Sequence, residues 1–400
     1  MKKIYLDYAA STPTHKDVLK VMEPYFSTYY GNPGSLHSFG QEALAALDGS
    51  REIIAEALGV QFGEIIFTGS ATEANNLALR GVIAGLPKDF VSHYKPRIIT
   101  SSIEHESILE TCRVLEDLGV EVVYLPVDTS GVIKLSALRS NLNERTVLVS
   151  LMYANNHIGS IQPLQKAAEI IAEFRKPQHS LLHNLHYPFF HTDAVQALQF
   201  IDCNTTYLGV DLMSLSSQKI YGPKGAGILY RNKNIPLSPI ITGGSQEKGI
   251  RAGTENIPAI VGFAKALQLI LKNQEREASR IRELRDFLYK GILKIQPKAQ
   301  LNGPELSGRK PSPELRLPNN LHIYFPGKKS QDLIIAFDLQ GLAVSSGSAC
   351  SVRTATSSYV VGALGFSEER AAQSIRITLG RPTTRQEISA VLAQMRRVVK

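Results

Sequence analysis

Lys219 stands in Ser214–Gly225, reading SLSSQKIYGPKG. There the strand-type residues Val210, Leu212, Met213 and Leu215 give way to small hydroxyls and then to a Gly222–Pro223 turn. A lysine just past a buried strand, in a tight loop of small residues, loses solvation. Desolvation favours the neutral amine, the form that condenses with a carbonyl. The neighbouring Ser216 and Ser217 can hold phosphate oxygens. Together they suggest a Schiff base with pyridoxal phosphate (PLP). Taken alone, the stretch reads equally as a surface lysine in a strand-to-loop turn, so other residues must decide.

Asp193 follows the strand-like Phe189–Thr192, 26 residues before Lys219. That gap holds one loop–helix crossover, which sets both residues on neighbouring strand ends. A carboxylate there pairs with a protonated pyridine nitrogen, the partner that makes PLP an electron sink; alone, it is also a helix cap. His105 opens a helix after the strand Arg97–Ser101, where an imidazole can stack on a flat ring and move protons near neutral pH. Gly69–Glu73 offers backbone N–H groups and the Thr72 hydroxyl to an anion, or caps its own helix. The chain contains neither GxxxxGK[ST] nor GxGxxG, which removes the common nucleotide readings. Cys350 lies in Ala343–Ser351, among small residues and far from any other cysteine, a setting for an exposed nucleophile on a loop. Cys112 and Cys203 read as structural thiols. Arg376, alternating out of an apolar strand, either clamps a carboxylate or forms a structural ion pair.

These residues need a sheet that brings strand ends together. Strand-like runs at Ile65–Thr68, Arg97–Ser101, Glu121–Leu125, Val147–Met152, Phe189–Thr192 and Leu212–Leu215 alternate with helical stretches from Gln41–Leu58 to Leu164–Arg175. Near-continuous apolar strands of this kind predict a buried, mostly parallel sheet, with ligands gathered beyond its carboxyl ends. After a charged helix from Gln274, the Pro/Gly/Ser-rich 302–320 predicts a loop. A strand at Leu321–Phe325, a helix at Gln331–Leu339, a strand at Ile375–Thr378 and a helix at Thr384–Val399 then make a second, smaller α/β unit. We expect a large domain over 16–270 and a small one from 1–15 and 271–400.

Composition limits the alternatives. The 400 residues suffice for two or three domains of roughly 100–200 each. With 43% hydrophobic and 20% charged residues the chain reads as globular. The net charge of +8 comes from scattered Lys and Arg, which predicts solvated faces and no direct nucleic-acid partner. Three widely spaced cysteines build no disulfide framework or CxxC metal pattern, so a cytoplasmic setting is expected and no resident metal. Asp7 and Thr12–Pro13 interrupt the start of the sequence before any signal-type apolar run. The apolar stretch at Ala259–Leu271 is too short to span a membrane.

The chain resembles the NifS/IscS-type cysteine desulfurases, class V aminotransferase-like PLP enzymes of fold type I. The resemblance runs almost end to end: Tyr5–Ala10, Gly31-Asn32-Pro33, Ala71–Asn76, Glu104-His105, Met152–Asn156, His191–Gln196, Lys219–Gly225, Arg251–Asn256, Ser345–Cys350 and Arg376–Arg381. It implies an α/β fold whose large domain has a mostly parallel seven-stranded sheet flanked by helices, plus a smaller α/β domain carrying the cysteine loop.

It also implies the following roles. Lys219 holds PLP and moves a proton, and Asp193 pairs with the ring nitrogen. Gln196 and Asn156 approach the ring's phenolic oxygen, and His105 stacks on the ring and acts in acid–base steps. Ala71, Thr72, Ser216, Ser217 and Gln218 bind phosphate, with Thr254 reaching across from the other subunit of a homodimer. Arg376 and Asn156 hold the carboxylate of L-cysteine. Cys350 takes the substrate sulfur as a persulfide and releases alanine. The Ser345–Ser351 loop resembles the branch that hands sulfur to an acceptor, either an iron–sulfur scaffold or a tRNA-thiolation relay, with any iron–sulfur contact transient and through Cys350. A related class V aminotransferase, a selenocysteine lyase and a catalytically silent sulfur-relay scaffold are the alternatives. Three departures stand out. Gln218 replaces the usual histidine before the lysine, and His157 replaces the glutamate after the asparagine pair. The stretch 176–190 is longer than usual and carries His179, His183 and His186, whose spacing fits a surface insertion better than a metal site.

Overall fold

A computed structural model describes residues 3–176, 187–306, 315–347 and 358–399. Its strands, among those residues, are β1 (Ile4–Tyr5), β2 (Ile65–Thr68), β3 (Arg97–Ser101), β4 (Glu121–Leu125), β5 (Thr146–Ser150), β6 (Phe189–Asp193), β7 (Leu212–Ser216), β8 (Gly227–Arg231), β9 (Gln300–Leu301), β10 (Asn320–Tyr324), β11 (Leu342–Ala343) and β12 (Ser374–Thr378). Seven of them form one sheet in the order β2-β8-β7-β6-β5-β3-β4. Every pairing from β7 to β4 is parallel, whereas β8 is antiparallel to both β7 and β2. The fold is thus α/β with a mostly parallel central sheet, as expected. The sequences TVLVS, FFHTD and LMSLS of β5, β6 and β7 are buried at every position, as a strand covered by helices on both faces must be.

The orientation of β2 matters for the site. Two antiparallel steps separate it from β7, so both point their carboxyl ends the same way. The carboxyl ends of β2, β3, β5, β6 and β7 therefore meet at one edge, where an open α/β sheet collects ligands. Helices cover the faces. Ile257–Leu271, which contains the apolar stretch Ala259–Leu271 noted in the sequence, packs on Ser38–Leu58 and buries nine of its residues. No described helix is long and apolar enough to cross a membrane.

The C-terminal strands form a separate antiparallel sheet, β12-β10-β9. The N-terminal residues join this part: β1 pairs in parallel with β11, and Asp7 bridges to Thr378. Helix Gln274–Ile295 packs on helix Arg385–Val399. Three sequence expectations shift. β8 was not anticipated, Asp193 ends its strand instead of opening a loop, and β5 stops at Ser150, short of Met152.

Candidate active site

A cavity of about 270 Å³ opens at that common strand edge. Lys219 enters it from a 3-10 turn, Ser217–Lys219, directly after β7. Its half-buried Nζ donates to the carbonyls of Ala9, at 2.8 Å, and Ala10, at 2.6 Å. The turn is itself tied down, because the Gln218 carbonyl accepts from both the hydroxyl and the N–H of Thr12. Gln196 reaches the same N-terminal segment, donating from Nε2 to Ala9 O at 3.0 Å.

Asp193 occupies the last position of β6, beside β7, and lines the cavity while only 7% exposed. Its Oδ2 accepts from Asn75 Nδ2 at 2.8 Å, and its Oδ1 from the Val195 N–H at 3.0 Å. These bonds fix the plane of the carboxylate. Beneath it, His191 spans Ser150 and Ser214 at 2.9 and 3.0 Å, so the layer under the site is a satisfied polar chain across three strands.

His105 is the N-cap of helix Glu106–Asp117, and its Nδ1 accepts from the Ser107 N–H at 3.1 Å. A backbone N–H can only donate, so Nδ1 carries no proton and the neutral ring bears it on Nε2. Burial lowers the affinity of this imidazole for a second proton, against the partial opposition of the Asp193 charge.

The anion end is the N-terminus of the fourteen-residue helix Ala71–Ala84. Ser70 caps it, accepting from Glu73 N–H, which leaves the Thr72 hydroxyl to other partners. Ala71, Thr72, Ser216 and Gln218 all line the cavity. Ser217 does not. Its N–H donates to Ala226 O, and its hydroxyl fills the space where a Cβ on Gly222 would fall, so the structure turns it away from the cavity.

Arg376 lies in β12 and is 1% exposed. Nη2 binds Asp7 Oδ1 at 2.8 Å and Nη1 binds Asn156 O at 2.9 Å, leaving Nε without a partner among the described residues. The structural ion pair is present, and the guanidinium also walls the cavity. Asn156 is buried on the same wall, its Oδ1 unpartnered among the described residues. Thr254 is exposed and lies outside the cavity of its own chain. Cys350 and the three histidines of 176–190 lie outside the described residues.

Several site residues carried no role in the sequence reading. Asn75 sits one helical turn after Ala71, buried in the Ala71–Ala84 helix, and its place within the matching stretch Ala71–Asn76 is the signal that could have revealed it. Glu104 is fully buried behind His105. Its Oε1 accepts from Ser101 Oγ at 2.6 Å and Met152 N–H at 2.9 Å, joining the ends of β3 and β5, while Oε2 is unpartnered. Burial pushes this carboxyl up to about 8.

The donor set fits PLP: an amine, a fixed carboxylate on the neighbouring strand end, a neutral imidazole, a helix N-terminus for phosphate and an orphaned amide oxygen all face one cavity. The fold and this lysine–aspartate arrangement define a class, and the chain belongs to the class-V aminotransferase family, whose model matches residues 4–391. Within it, the chain is 41% identical to the cysteine desulfurase IscS of Dictyoglomus turgidum, over all of this chain and 95% of that protein. A solved NifS-like protein superposes with a TM-score of 0.88 at 35% identity, covering 99% of each chain. A structure of SspA in complex with cysteine gives 0.79 at 33%, covering 94% of this chain and 99% of that one.

Proposed function

We infer that this chain is a PLP-dependent cysteine desulfurase, converting L-cysteine to L-alanine and passing the sulfur to its own Cys350. The observation that carries the reading is the shared cavity. Lys219 and Asp193, delivered by adjacent strand ends, face the N-terminus of the Ala71–Ala84 helix across it. When bound, PLP supplies an electron sink at the substrate's carbons.

The chain's own groups do the rest. Lys219 would hold the cofactor and would move a proton at its Nζ. Asp193 keeps the ring nitrogen protonated, in an orientation fixed by Asn75 and Val195. The helix N-terminus, Thr72, Ser216 and Gln218 take the phosphate. Gln196 and Asn156 serve the ring oxygen. His105 stacks as a neutral imidazole with Nε2–H available to donate. Arg376 and Asn156 receive the substrate carboxylate. The net reaction balances: the carbon–sulfur bond of cysteine breaks, a sulfur–sulfur bond to Cys350 Sγ forms, and one thiol proton ends on the alanine methyl.

The same reading makes the protein a homodimer in which Thr254 serves the partner's phosphate site. Exposed Phe26, Tyr29, Tyr30, Leu36 and Phe39 support a covered apolar face. It assigns the protein to the cytoplasm, in keeping with the free, buried Cys112 and Cys203. It gives Cys350 an acceptor protein in iron–sulfur assembly or tRNA thiolation. Purified protein should absorb in the near-visible and yield alanine from cysteine. Lys219→Ala should lose both, and Cys350→Ser should keep the colour and lose the persulfide. A keto-acid product, or undiminished sulfur release by Cys350→Ser, would overturn the reading.

A further inference from the structure

His157 follows the cavity residue Asn156 but points away from the cavity, and none of the chemistry above uses it. The residue is 1% exposed. Its backbone is locked: N–H donates to Asn155 Oδ1 at 2.8 Å, and C=O accepts from Asn320 Nδ2 at 3.0 Å. Two further segments of the chain converge on one edge of its ring. Nδ1 lies 3.1 Å from Ser358 Oγ. On the same edge, a Cβ placed on Gly347 would sit 2.8 Å from both Nδ1 and Cε1, so the Gly347 backbone lies directly against the imidazole. Tyr359 packs edge-on against the ring, with centroids 5.6 Å apart, and its hydroxyl donates to Glu104 O at 2.5 Å.

Gly347 and Ser358 flank residues 348–357, and that interval of sequence contains Cys350. The Gly347 anchor also touches the cavity wall. Ser345 exchanges backbone hydrogen bonds with Arg376 at 3.2 and 2.6 Å, and its hydroxyl is bonded to both the N–H and the C=O of Gly347. Cys350 is three residues beyond Gly347, a reach of at most roughly 10 Å. The place where Gly347 is fixed therefore bounds the reach of the thiol from that end. A tether fixed at both ends also keeps its cargo at a higher effective concentration than one free at an end.

We propose that His157 is a positioning residue for sulfur transfer: it clasps Gly347 and Ser358 on one imidazole edge and so fixes both ends of the span that carries Cys350. The proposal rests on the reading that Cys350 receives the sulfur. Its physical content is geometric, a single side chain joining two anchors that the sequence separates by ten residues.

The test uses the PLP-loaded enzyme. Ser358→Ala removes the hydroxyl partner at a helix start whose serine makes no capping bond of its own. It should lower kcat for alanine formation about three- to tenfold, the effect of one hydrogen bond, with KM and cofactor absorbance unchanged. Ser358→Thr, which keeps the hydroxyl, should restore the rate. His157→Ala should act in the same direction, and combining it with Ser358→Ala should add little, because both break one contact. Both variants should speed trypsin cleavage after Arg353, a readout independent of turnover. Wild-type kcat and wild-type cleavage in Ser358→Ala would overturn the proposal, as would fully additive effects of the two changes. If His157→Ala does not fold, Ser358→Ala decides alone. Cys350→Ser that still releases sulfur at the wild-type rate would sink the reading underneath, whereas the cleavage rates report on the clasp itself.

Discussion

Asp193 is held by two donors, Asn75 Nδ2 and Val195 N–H, and an asparagine there keeps one acceptor oxygen, so the substitution removes the charge together with one of these two bonds. Asp193→Asn is expected to fold and to retain cofactor, yet to lose on the order of 10²-fold in alanine formation, the usual cost of removing a preorganised charge from a site. Steady-state kinetics with the absorbance spectrum checks both halves. Glu104 gives a prediction of another kind. Its carboxyl is raised from about 4.5 to about 8 by burial. Between those values the native protein holds a proton that the unfolded chain has released, so stability falls as pH rises through that window. The slope is at most about 1.4 kcal/mol per pH unit for one proton. Glu104→Gln, which mimics the protonated form, should flatten this dependence in denaturant titrations from pH 4.5 to 8. The sequence pointed to Lys219, Asp193 and His105 because each stands at or just past the end of a recognisable strand. It hid the roles of Asn75 and Glu104, because their work is to hold those residues through contacts distant in sequence, and no spacing rule encodes such contacts. Ser217 faces Gly222 and not the cavity, since adjacent residues in a 3-10 turn point in different directions.

At the scale of elements, the site depends on how loops are fastened to strand ends. The loop that presents Thr254 is held at two points. Arg251 binds Glu73, whose other oxygen accepts from Gly69 N–H in the anion loop, and Glu247 binds Arg51 and Phe67 N–H. Glu247 reaches Arg51 through backbone at φ +48°, followed by Lys248 at +59°, a left-handed pair of non-glycine residues kept by the surrounding bonds. Its side chain is only 2% exposed. Arg51→Ala would leave that carboxylate buried and unpaired and should destabilise the protein by about 3 kcal/mol, read as a lower thermal midpoint. The element pattern was largely legible, because β5, β6 and β7 are strand-forming runs buried at every position, as parallel strands covered on both faces are. β8 was not. Its sequence, GILYR, opens on Gly227, and glycine is depleted in strands. The glycine is there because a Cβ would fall 2.5 Å from the carbonyl carbon of Ser70, so the strand and the anion-binding helix start are packed backbone to backbone.

For the whole molecule, the exposed apolar side chains between Phe26 and Phe39 set the sharpest test. Leu36 is 94% exposed and Tyr30 66%, and the rings of Tyr30 and Phe39 lie 5.8 Å apart, so the patch is a cluster. Its shape is imposed from within: a side chain on Gly31 would strike the Phe39 carbonyl, which fastens the turn to the start of helix Ser38–Leu58. Each large side chain left in water forgoes roughly 1.5–3 kcal/mol that burial would return. A fixed cluster of this kind suits a face covered by a second copy of the chain. The Thr254 loop, exposed and outside its own cavity, would complete the partner's phosphate site from the same assembly. Leu36→Glu combined with Phe39→Glu places two charges on that face at positions that contribute nothing to the buried core. The double variant should therefore fold with an unchanged circular dichroism spectrum, yet run as a monomer by light scattering and lose cofactor more readily on dialysis. Thr254→Ala should weaken cofactor retention without dissociating the dimer, which separates the phosphate contact from the assembly that delivers it. A double variant that remains dimeric would place the interface elsewhere, and one that becomes monomeric with undiminished cofactor retention would remove Thr254 from the partner's site.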